Sequence, residues 1–273
     1  GAFSYQGEDG NRTYVNEDKA ETGDGTIYVK DGNAPTGEVP PSTDNSNNGT
    51  EETTPTDNDT QSTNASGNNT ENSSTSETTT TNTITVKEDV KDATIVVDGV
   101  NVDTTSTPTE VPADTKEDKT IIKVGEGADV DLTVRDSNLT TGGNGIDIGV
   151  NLEGEDENKE TNVDLTLDNT EINLTEKDNT AGIVVRDHST VDVTLKGENT
   201  IDGKKALENA AQEAGDAKKE STSSPNRNVE GIRVGGENAG DDSSGEGASL
   251  TIKGDDTSDQ GSLNIDHTST GMV

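Results

Sequence analysis

The chain has 273 residues and a formal net charge of -36, from 56 acidic against 20 basic side chains, with 24% hydrophobic and 1% aromatic residues. That acidity, unbroken by any Lys/Arg cluster, excludes nucleic acid and anionic membranes as partners, and no run reaches the ~18 apolar residues of a membrane span. Without cysteine there is no disulfide framework, and with so few apolar residues only part of the chain can bury enough surface to offset its conformational entropy.

Residues 1–35 hold every aromatic side chain of the protein, Phe3, Tyr5, Tyr14 and Tyr28, and one good strand signal at Thr26-Ile27-Tyr28-Val29. They read as an N-terminal β segment or the tail of an upstream domain, ending in the turn-rich Asp31-Gly32-Asn33-Ala34-Pro35. Residues 36–82 are nearly all Thr, Ser, Asn, Asp, Glu and Gly, with Pro40, Pro41 and Pro55. This is the composition of a disordered linker, kept extended by charge and hydration. Asn-x-Ser/Thr triplets such as Asn48-Gly49-Thr50 recur in it, as the composition alone produces.

From Thr83 to Val273 an internal repeat carries most of the apolar residues. Its first signature alternates two apolar positions, often after glycine: Ile84-Thr85-Val86, Ile122-Lys123-Val124, Gly145-Ile146-Asp147-Ile148, Gly182-Ile183-Val184-Val185 and Gly231-Ile232-Arg233-Val234. The second is Ile95-Val96-Val97, Leu132-Thr133-Val134, Leu165-Thr166-Leu167, Val193-Thr194-Leu195 and Leu250-Thr251-Ile252. A third apolar position follows at Val102, Leu139, Ile172, Ile201 and Leu263. Short period-2 strands of this kind bury one face each, and stacking them coil on coil makes a continuous apolar column. The expected fold is therefore all-β: a right-handed parallel β-helix, a solenoid of about five coils, preceded by the linker. Antiparallel hairpins are the structural alternative.

Residues 202–229 interrupt the repeat with the helix-forming run Lys204–Ala214, expected to loop out of the solenoid. The chain stops at Gly271-Met272-Val273, which reads as the start of another copy, so a fragment of a longer protein is expected.

On the Gly-Ile-x-Val and Leu-Thr-x elements, residues 83–273 resemble the parallel β-helix domains of bacterial cell-surface proteins, adhesins among them. The same architecture is similar to that of pectin-lyase-like enzymes, and the motifs identify the architecture rather than a function. The resemblance implies a secreted protein at the cell surface or attached to the cell wall.

The chemistry is sparse. Polysaccharide-cleaving enzymes of this architecture need facing carboxylates, or carboxylates with Arg and calcium. Arg135-Asp136 and Arg186-Asp187 end strand signatures in two coils, His188 follows the second, and Arg233 lies in a first signature. These six are the candidate binding residues, although Arg beside Asp at a strand end is commonly a surface ion pair. The Asn-Thr-Asp and Gly-His-Gly elements of the galacturonases that share the architecture are missing. There is no Gly-x-Ser-x-Gly and no nucleotide-binding glycine loop. Gly142-Gly143-Asn144-Gly145-Ile146-Asp147 fits the start of a calcium-binding β-roll nonapeptide once, which makes Asp147 the candidate metal ligand and calcium the candidate cofactor. Sugar sites commonly use an aromatic platform, and residues 83–273 contain none. A glycan there would rely on Asn, Asp, Arg and Thr along a flat sheet face, where Thr133, Thr166, Thr194 and Thr251 form an apparent ladder.

Composition, linker and repeat agree on a non-catalytic bacterial surface protein, an adhesion or stalk module whose partner is a glycan or protein of a host or neighbouring cell. The alternatives are a polysaccharide lyase or hydrolase and a calcium-stabilised structural module.

Overall fold

A computed structural model of the chain describes residues 2–6, 12–16, 26–30, 79, 81, 83–105, 119–154, 158–177, 179–217, 228–236, 246–255 and 261–273. The chain divides into one compact unit of residues 1–39 with 78–273 and a second of residues 40–77. The second unit, most of the expected linker, lies outside the described residues.

The repeat becomes three parallel sheets, each taking every third strand. The first contains β4 (Thr83–Val86), β7 (Ile122–Gly125), β10 (Ile146–Val150), β13 (Thr180–Val185), β16 (Val229–Val234) and β19 (Thr270–Met272). The second contains β5 (Lys91–Asp98), β8 (Asp129–Arg135), β11 (Thr161–Asp168), β14 (Ser189–Lys196) and β17 (Ser249–Gly254). The third contains β6 (Asn101–Asp103), β9 (Asn138–Thr141), β12 (Glu171–Leu174), β15 (Glu198–Asp202) and β18 (Ser262–Asp266). Every neighbouring pair among these strands runs parallel. This is the strand arrangement of a parallel β-helix. Among the described residues no helix is long and apolar enough to cross a membrane.

The signatures stack as columns. Ile84, Ile122, Ile146, Ile183, Ile232 and Met272 are register partners in the first sheet, as are Ile95, Leu132, Leu165 and Val193 in the second. All of these except Met272 belong to one buried cluster. The last coil corrects the sequence reading. Leu250 pairs with Val191 and Ile252 with Val193, so Leu250-Thr251-Ile252 sits two residues earlier than its supposed counterparts. Likewise Ile265, not Leu263, continues the Val102–Leu139–Ile172–Ile201 column. A shift of two keeps the same face, which is why apolar alternation alone did not reveal it.

The glycine of Gly-Ile-x-Val has a steric cause. Cβ atoms added at Gly145, Gly182 and Gly231 would strike the backbone carbonyls of Gly182, Gly231 and Gly271 and the side chains of Ile172, Ile201 and Ile265. Glycine lets the third-sheet isoleucines reach the corner where a coil re-enters the first sheet. At the corner between the second and third sheets, Gly99, Asp136, Asn169 and Gly197 all have positive φ, a left-handed geometry that Gly, Asn and Asp adopt most readily. Buried polar side chains close the same corner: Ser137 Oγ accepts from Val100 N at 3.2 Å and Asn199 Oδ1 from Thr170 N at 2.9 Å.

The insertion forms α1 (Lys204–Ala217). It does not simply loop out: Ala206 and Ala210 are fully buried, and Asn209 Nδ2 donates to Thr175 O at 2.9 Å. Asp202 Oδ1 caps the helix by accepting from Lys204 N at 2.8 Å. At the N-terminal edge of the first sheet, β1 (Ala2–Gln6) pairs antiparallel with β4 and with β2 (Arg12–Asn16). The expected strand at Thr26 is β3 (Thr26–Lys30), and it pairs parallel with β5 as the outermost strand of the second sheet.

Candidate functional site

The six candidate binding residues do not converge. Arg135 Nη2 lies 3.0 Å from Asp98 Oδ2, its register partner one coil away. The register row to which both belong reads Lys30, Asp98, Arg135, Asp168, Lys196, an alternation of charge along the stack. Asp136 and His188 are left-handed turn residues, with φ of 47° and 61°. Asp187 Oδ1 accepts from Gly236 N at 2.9 Å and Glu246 N at 3.0 Å, fastening the connection out of β16. Arg233 is buried, its Nη1 3.2 Å from Glu230 Oε1 and its Nε donating to Gly235 O.

Arg186 forms a bidentate pair with Asp147, Nε to Oδ1 and Nη2 to Oδ2 both at 2.8 Å, tying two neighbouring coils. The Asp147 side chain is 1% exposed and that of Arg186 11%. With both oxygens held by a guanidinium, Asp147 does not fit a calcium ion. Among the described residues no group of three or more His, Cys, Asp or Glu is arranged to hold a metal. Asp241-Asp242, an acidic pair whose oxygens could take calcium weakly, lies outside the described residues.

The geometry points elsewhere, to the outward face of the second sheet. Alternation puts Val130, Leu132 and Val134 in the core and leaves Asp131 and Thr133 facing out. The same Asp-x-Thr step recurs in register at Asp164-Leu165-Thr166 and Asp192-Val193-Thr194. Two outward columns result. One runs Thr94, Asp131, Asp164, Asp192, Thr251; the other runs Thr133, Thr166, Thr194, Lys253, with the buried Val96 in register before Thr133. Lys253, rather than Thr251, thus continues the threonine ladder. The columns line a groove of about 580 Å³.

The groove is electrostatically uneven. The neighbouring row alternates in sign, whereas Asp131, Asp164 and Asp192 stack like charges about 4.8 Å apart. Partial burial raises the Asp131 pKa above its ordinary 3.8, reinforced by a hydrogen bond with Asp164 and by the charges of Asp164 and Asp129. Sequence reasoning named the threonines of this face and expected carboxylates among its groups, but did not single out Asp131, Asp164 and Asp192. The signal was present in the recurring Val-Asp-Leu-Thr, Val-Asp-Leu-Thr, Val-Asp-Val-Thr. No protein-family model, curated protein or solved structure matches the chain.

Proposed function

We propose that the chain is part of a non-catalytic bacterial surface protein, secreted and held at the cell surface or cell wall. Its parallel β-helix, similar in architecture to pectin-lyase-like folds, acts as an adhesion or stalk module, and the outward second-sheet face is its contact surface. The observation that carries this reading is the polar groove over three in-register Asp-x-Thr steps, a regular display of hydrogen-bonding groups on a rigid scaffold. The acidity of the chain and its long Thr/Ser/Asn-rich stretch support an exposed, solvated setting. The partner is a glycan or protein of a host or neighbouring cell.

A second reading, polysaccharide hydrolysis, draws on one specific observation. Asp131 and Asp164 are neighbouring carboxyls of which one favours its proton, as an acid and base pair requires. A glycan array with the whole chain, run with calcium and with EDTA beside an assay for reducing ends, separates the two. Retention without cleavage is expected; new reducing ends that disappear in Asp131→Asn would replace the contact reading with the enzymatic one.

A further inference from the structure

Three carboxylates in a row on a sheet are by themselves an ordinary solvated surface. The groove on the second sheet adds a second wall, two ends and a contrast with the row beside it. The carboxylate column Asp131, Asp164, Asp192 runs next to the hydroxyl column Thr133, Thr166, Thr194, in one register over three coils. Thr94 closes the carboxylate column at one end, and Thr251 with Lys253 closes the groove at the other. The neighbouring row neutralises itself, with Arg135 paired to Asp98 at 3.0 Å and Lys196 to Asp255 at 3.8 Å. Among the described residues no ion pair engages Asp131, Asp164 or Asp192, and no hydrogen bond engages the hydroxyls of Thr133, Thr166 or Thr194. On the same strands, one row of charge is compensated within the fold and the row that lines the groove is not.

We propose that the groove is a site for a linear polyamine with three-carbon spacers, laid along the solenoid axis with one ammonium group on each of three coils. The inference rests on the reading of the second-sheet face as the contact surface and adds a small cationic ligand to it. The pitch of the coils selects the spacer. Coils recur every ~4.8 Å. With C–N and C–C bonds of about 1.5 Å, an extended three-carbon spacer sets successive nitrogens about 5 Å apart, against roughly 6 Å for four carbons. Each ammonium carries at least two N–H donors, one for a carboxylate of the Asp column and one for a hydroxyl of the Thr column, which take alternate positions on the same face of each strand. Three carboxylates set the length at three ammonium groups, because a fourth would meet Lys253 beside Thr251. The Asp131 pKa is raised by partial burial, by its hydrogen bond with Asp164 and by the charges of Asp164 and Asp129, and it falls as ammonium groups offset those charges.

Isothermal titration of the full chain with norspermidine, a triamine with three-carbon spacers, tests this against bis(hexamethylene)triamine at the same ionic strength, since both carry three ammonium groups and only the spacing differs. Norspermidine is expected to bind with one molecule per chain and about tenfold tighter than its long-spaced counterpart. Asp164→Asn is expected to weaken norspermidine about tenfold, as the loss of one charge-assisted pair implies. Thr166→Val, which keeps the shape and removes the hydroxyl, weakens it less, and Glu171→Gln, an exposed acid on the third sheet, leaves it unchanged. Lys253→Gln is expected to improve binding of norspermine, the homologue with a fourth nitrogen. Melting temperatures of the variants without ligand read folding separately. Equal affinity for the two triamines, or equal losses in Asp164→Asn and Glu171→Gln, would reduce the effect to unspecific attraction by an acidic protein and overturn the site. If neither triamine binds while a bulky label on the groove abolishes glycan retention, the polyamine is overturned and the contact face stands; if the label has no effect either, both fall.

Discussion

Arg186 and Asp147 look like separate surface features in the sequence, one ending a strand signature and the other closing a glycine-rich turn. The structure joins them into one pair with nearly all of its surface removed from water. Exchanging Asp147 for Asn leaves a guanidinium without its counter-charge, and the expected loss of stability is about 3 to 5 kcal/mol by urea unfolding. Asp147→Leu with Arg186→Met, which removes both charges, is expected to recover most of it. Asp131 behaves in the opposite sense. Its folded pKa lies above the 3.8 of an ordinary Asp, so the folded state binds the proton more tightly than the unfolded chain. The stability it contributes is fully present below about pH 3.8 and is lost as pH rises through the raised value. Asp131→Asn is therefore expected to unfold at higher urea than the wild type at pH 7, with the difference closing on acidification. No gain at pH 7 would show that the carboxyl row is not under strain. Neither pairing was legible in the sequence, because it depends on which residues a coil places one layer above another.

At the scale of strands, legibility was high where side-chain chemistry repeats and low where it lapses. Ile95 and Leu132, like Ile146 and Ile183, were aligned by spacing alone, and the structure pairs them in the same columns. The last coil was misaligned because the connections before it vary in length and its apolar residues alternate over enough positions to fit two registers. The corner glycines explain a motif that spacing could only describe. Gly182→Ala would push a methyl group into the Gly231 carbonyl and the Ile201 side chain, and a loss of about 1 to 3 kcal/mol is expected. Gly254→Ala, with nothing within 4 Å of the added carbon, is expected to change stability little. Equal losses at both positions, measured by thermal unfolding, would count against the steric account. The helical run was readable from its composition, but the docking of Ala206 and Ala210 was not, since small residues serve exposed and buried helix faces equally.

For the molecule as a whole, composition indicated where the core lies, and period-2 patterning indicated how it is built. The contact surface was harder to see because it is assembled from one outward residue pair per coil, with its neighbour β3 contributed from before residue 36. Stability is expected to be insensitive to EDTA, because Asp147 is held by Arg186 rather than offered to a cation. A fall of several degrees in melting temperature on chelation would instead support a calcium-stabilised module. The chain has no cysteine, so single cysteines can be placed and coupled to a bulky polyethylene-glycol maleimide without side reactions. One label at Asp164→Cys on the second-sheet face and another at Thr200→Cys on the third sheet test the central claim directly, with retention on the glycan array as readout. Loss of retention with the label at position 164 and full retention with the label at position 200 is the predicted result; loss only with the label at position 200 would contradict the assignment of the contact surface.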